Sequence, residues 1–120
     1  MSPDDESIAI LEQMEAHQAR NQELVAVIVA RGGLLQTRRR VDLHFWSKSE
    51  QDAEMLVEAL RRLGVQAVRA NPPPGMDRIW SVEASLETTV EDVTREAYVE
   101  SLVRLAIQHG SEFDGWGTEL

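Results

Sequence analysis

An α+β sandwich of the split βαβ kind, preceded by one long helix, is the fold class this 120-residue sequence predicts. Three observations predict it. Apolar residues alternate with polar ones in separate short runs, two further segments carry apolar residues at helical spacing, and the order of these elements is β-α-β-β-α-β after the first helix. At this length one core is expected, with residues 18–120 forming a single domain and residues 1–17 the N-terminal part of the first helix, whose first turns are expected to fray.

From about Asp5 to Arg31 there is neither proline nor glycine. Ile10, Met14, Leu24 and Ile28 fall on one helical stripe, with Leu11 and Val25 beside it, so a long helix is read up to Gly32-Gly33. Its acidic first half (Asp4, Asp5, Glu6, Glu12, Glu15) suits the positive end of a helix dipole. This helix belongs to neither crossover and is the available cover for an open sheet face, or an interaction arm. Val41, Leu43 and Phe45 alternate with Asp42, His44 and Trp46, which makes strand one and turns the first set inward.

Ser47-Lys-Ser-Glu50 reads as a capping box, and Ala53, Leu56, Val57, Leu60 and Leu63 continue a helix that Gly64 ends. Val65 to Ala70 forms strand two, while Trp80, Val82, Ala84 and Leu86 give strand three. The three prolines of Asn71-Pro-Pro-Pro-Gly75 cannot continue a ladder, so a loop from Asn71 to about Asp77 joins these strands as a hairpin. Thr88 or Thr89 caps a final helix carrying Val90, Val93, Ala97, Leu102, Leu105 and Ala106, with Tyr98 and Val99 widening its apolar face, up to Gly110. Glu112 to Thr118 is a last strand with a glycine bulge. Connection rules fold this order most simply as a ferredoxin-like sandwich with both crossover helices on one face. A bare apolar sheet on the other face would favour a homodimer.

Charge and composition narrow the function. Twelve Lys plus Arg against 21 Asp plus Glu give a net charge of -9, which disfavours direct binding of nucleic acid. The acidic N-terminus lacks the basic residues of a targeting peptide, and no apolar run reaches membrane-spanning length, so a cytoplasmic protein without membrane contact is expected. Without cysteine there is no disulfide scaffold or thiol chemistry. His17, His44 and His109 stand at no metal-ligand spacing, and no nucleophile elbow, phosphate loop or dinucleotide fingerprint occurs. Neither an enzyme nor a cofactor or metal site is therefore expected. Glu91 with Asp92 and Glu96 with Glu100 read as a solvated acidic face, and Arg38-Arg39-Arg40 and Arg61-Arg62 as small basic clusters.

The least ordinary segment is Phe113-Asp-Gly-Trp-Gly-Thr118. It places one large amphipathic ring between two permissive backbone positions. Trp116 reads first as a plug at one end of the core, and second as a residue where another chain approaches.

At this motif the sequence resembles the regulator of ribonuclease E activity B family, whose domain ends in a similar run. Asn21 followed by Leu24-Val25, then Gly32-Gly33, the strand-helix unit Val41 to Gly64 and the final helix are similar in order and spacing, over about residues 18 to 118. The resemblance implies a ferredoxin-like α+β sandwich and a non-catalytic protein that binds ribonuclease E, or its scaffold region, and inhibits it. Relatives often continue into an acidic tail, whereas this sequence stops at Leu120, so contacts through such a tail are not expected. The candidate partner-binding residues are Asp114, Gly115, Trp116, Gly117, Trp46, Glu91 and Glu96. The alternative reading is an RNA- or small-molecule-binding module using His44 and Trp46 on the open sheet face, together with Arg38, Arg39 and Arg40.

Overall fold

The computed structural model describes residues 3–70 and 79–118, so the expected Asn71 to Asp77 loop lies outside the described residues. Helix α1 (Pro3–Ala30) is followed by β1 (Arg39–Ser47), α2 (Glu50–Arg62), β2 (Gln66–Ala70), β3 (Trp80–Thr88), a single turn α3 (Val90–Val93), α4 (Glu96–Gln108) and β4 (Ser111–Thr118). The strands form one sheet in the order β2-β3-β1-β4, every neighbouring pair antiparallel. This is the expected ferredoxin-like α+β sandwich.

Strand alternation sets the two faces. Val41, Leu43 and Phe45 of β1, Val82 and Ala84 of β3, and Phe113 of β4 are buried beneath α2 and α4, which contribute Leu56, Leu60, Leu102 and Val103. Gly32, Gly64 and Gly110, all with positive φ, end α1, α2 and α4 at the positions the sequence predicts.

Three expectations are corrected. Ser47 is not the cap of α2: it is fully buried at the end of β1, sharing a 2.6 Å hydrogen bond between its Oγ and that of Ser111. Ser49 caps instead, its Oγ accepting from the Asp52 amide at 3.1 Å, because strand alternation runs through residue 47 and carries that side chain inward. The helix expected after Thr89 is broken. Thr89 caps only α3, and α4 starts afresh after Arg95. On one continuous helix Val99 would sit about 120° round from Val93, at about 100° per residue, so the break is what lets both reach the core. The same break leaves Ala97, expected on the apolar stripe, exposed.

Finally, α1 does not cover the open sheet face. It lies along α4 as a third member of the helix layer, with Ile10, Met14 and Ile28 in the common core. The face that no described residue covers is polar rather than apolar, carrying Asp42, His44 and Trp46 of β1 beside Ser81, Glu83, Ser85 and Glu87 of β3.

Candidate functional site: the β4 bulge and the open sheet face

Strand β4 pairs with β1 on one side only, so its outer edge has backbone groups that the sheet does not satisfy. The register slips between His44 and Phe45: Phe45 faces Phe113, His44 faces Gly115, and Asp114 is the extra residue of the bulge. Gly115 there has φ +123°, a conformation essentially reserved for glycine.

One turn of α1 closes this edge. The imidazole of His17 donates from Nε2 to the Phe113 carbonyl at 2.9 Å, and the Arg20 guanidinium donates to the Asp114 carbonyl at 2.8 Å. The Trp116 indole donates from Nε1 to Asn21 Oδ1 at 2.7 Å. His17, Arg20 and Asn21 are at i, i+3 and i+4, hence on one side of the helix. Space is also specified. A Cβ on Gly115 would lie 2.5 Å from Arg20 Nη1, so a side chain there would expel the guanidinium. The ring of Phe113 is held between His17, at 4.7 Å, and Phe45, at 5.1 Å.

Burial holds His17 below the usual imidazole range; the bond to the Phe113 carbonyl and the charge of Asp114 oppose this, and the charge of Arg20 adds to it. The opposite sheet edge is closed similarly, by Arg61 of α2, whose Nε and Nη2 donate to the Ala67 carbonyl of β2 at 3.1 and 2.9 Å.

The candidate partner-binding residues separate into groups. Trp116 is buried in the core at 4% exposure and Gly115 is buried beneath Arg20, so these two shape the bulge from within. Asp114 is exposed and Trp46 half-buried, and both line one groove of about 350 Å³ on the open face with His44, Ile79, Ser81 and Glu83. Gly117, opposite Asp42 on β4, leaves room beside the His44 ring. Glu91 and Glu96 are exposed in the first turns of α3 and α4, in the helix layer, away from Trp46.

His17 and Arg20 were not among the sequence candidates, and Asn21 entered only as part of a resemblance. The signal was their spacing: residues 10, 14, 17, 21, 24 and 28 form one continuous stripe of α1, and His17 and Asn21 are its two polar members.

Arg38 and the first two residues of β1, Arg39 and Arg40, are engaged locally. Arg38 donates to the Glu87 carbonyl and pairs with its carboxylate, Arg39 donates to the Leu34 carbonyl, and Arg40 pairs with Asp42. Among the described residues no group of three His, Cys, Asp or Glu could hold a metal ion, and no helix is long and apolar enough to cross a membrane.

The family model Regulator of ribonuclease activity B matches residues 18–118, from the turn of α1 that grips the bulge to the end of β4. The chain belongs to this family. A Regulator of ribonuclease activity B from Photobacterium profundum is 20% identical over 112 residues, covering 89% of this chain and 83% of the relative. In this member of the family the bulge, the buried indole and the grip of α1 are one unit, and the matched region contains Arg20, Asn21 and all of β4, with His17 one position ahead of it.

Proposed function

We propose that this chain is a non-catalytic, protein-binding regulator that inhibits a ribonuclease E-type endonuclease, docking on the enzyme or its scaffold region and altering RNA decay without cleaving RNA. Membership of the regulator of ribonuclease activity B family is the observation that carries it. The geometry supports a docking role. Asp114 and Trp46 stand on an uncovered, acid-rich sheet face, Gly115 and Trp116 hold the bulge that presents Asp114, and Gly117 keeps the neighbouring surface low. Glu91 and Glu96 form a second acidic area that steers a basic partner, in an association that weakens with salt. On this reading the protein works in the cytoplasm, where such a nuclease acts.

The alternative, an RNA- or small-molecule-binding sheet, is supported by His44 and Trp46 sharing the open face. It is weakened by the ion pairs that Arg38 and Arg40 make with Glu87 and Asp42. Purified chain added to ribonuclease E is expected to reduce cleavage of a short RNA while leaving that RNA unshifted in the absence of enzyme. Absence of both binding and inhibition at micromolar concentration would overturn the reading.

A further inference from the structure

We propose that the open-face groove holds an arginine side chain of a partner polypeptide, its guanidinium stacked on the Trp46 ring and bonded to the carboxylates of Asp114 and Glu83. The inference rests on the reading of this face as the docking surface, and adds the chemistry of what docks.

Three features favour a guanidinium. Trp46 is half-buried, held in register between Ser81 of β3 and Glu112 of β4, and lines the groove. An aromatic side chain in a groove beside carboxylates attracts a cation, and arginine best, since a planar group both stacks and donates in two directions. Next, among the described residues the acids there outnumber the bases. Glu83 and Asp114 line the groove and Glu112 lies across from Trp46, while among the described residues the imidazole of His44 is the one basic side chain in the lining, 3.9 Å from Glu83.

Burial first, and the nearby Asp114 charge second, raise Glu112 above the usual carboxylate range, against the opposing charge of Lys48. By contrast Asp42, the next acid along β1, already holds Arg40 at 3.1 Å, an arrangement of the sort the groove acids would make with an incoming arginine. Lastly, the groove is an open depression of about 350 Å³ on a sheet face. This suits one side chain of a segment laid across the strands better than an enclosed small molecule.

The test is an NMR titration of the whole chain, following the assigned Trp46 indole N–H, with acetyl-Gly-Gly-Arg-Gly-Gly-amide and with its lysine and glutamate counterparts. The arginine peptide is expected to shift the Trp46 resonance saturably, binding at least threefold more tightly than the lysine peptide, with no response to the glutamate peptide. Asp114→Asn and Glu83→Gln, both surface changes that keep side-chain shape, should each weaken it at least threefold, and Trp46→Leu should remove the preference for arginine over lysine.

Equal binding of arginine and lysine peptides with no effect of the two carboxylate changes would overturn the proposal, leaving only a general acidic surface. So would an arginine response confined to residues around Glu91 and Glu96, or a short RNA that shifts Trp46 more strongly than the peptide. Inhibition of ribonuclease E by the wild-type chain is measured in parallel. Inhibition without an arginine response removes the clamp and leaves the regulator, whereas an arginine response without inhibition does the reverse.

Discussion

Deleting the Asn21 side chain removes the acceptor of a 2.7 Å bond from an indole that is 4% exposed. The buried Trp116 N–H then loses its partner, which costs about 1–3 kcal/mol. Asn21 is itself 6% exposed and its Nδ2 has no hydrogen-bond partner among the described residues, so Asn21→Ala also removes one existing penalty and belongs in the lower half of that range. Trp116→Phe strands the Asn21 oxygen instead and leaves a small void. If the bond is the main tie, the second change costs less once the first is made, and the double-mutant coupling is about 1 kcal/mol. Unfolding entropy of about 2.1 cal/mol/K per residue converts each kcal/mol into about 4 °C for a chain of this size. The two single variants and the double variant are compared by urea unfolding, followed by circular dichroism because one change removes a fluorophore. A coupling within about 0.3 kcal/mol of zero would refute the view that this bond joins α1 to β4.

Three other outcomes are expected. Gly115→Ala should destabilise by about 1–3 kcal/mol from its backbone conformation. Adding Arg20→Ala should recover only the part due to collision with the guanidinium, as thermal unfolding of both variants would report. Ser49→Ala should cost about 1 kcal/mol through loss of the α2 cap, measurable by urea midpoint. His17 is held below its unfolded value, so the unfolded chain binds the proton first: stability contributed by neutral His17 is complete above about pH 6.5 and declines as pH falls below it, until the folded form also titrates. Urea midpoints from about pH 7.5 to about pH 5 should show this decline, and His17→Gln should flatten it.

Much of the sheet was legible because strand alternation assigns faces residue by residue: Val41, Leu43 and Phe45 are inward as read. The same rule, carried two residues further, points to Ser47 as a strand residue, but Ser47-x-x-Glu50 imitates a cap two residues too early. The α3–α4 break has no glycine or proline to announce it. Its trace is the phase jump between Val93 and Val99, which competes with a run of good helix formers. The bulge was legible from its glycines. Its partner was less so, since a helix pattern states which side is buried and not against what, and α1 meets β4 across about ninety residues of chain.

Carbonyls on both outer strands are held by side chains of flanking helices, at Phe113 and Asp114 by α1 and at Ala67 by α2. A polypeptide that tried to extend this sheet would have to displace those donors before forming its own ladder. Backbone templating, which accepts almost any extended sequence, is thereby discouraged. In the docking proposed above, a partner would be selected by its side chains rather than its backbone, and the edges have some protection against stacking with copies of the chain when concentrated.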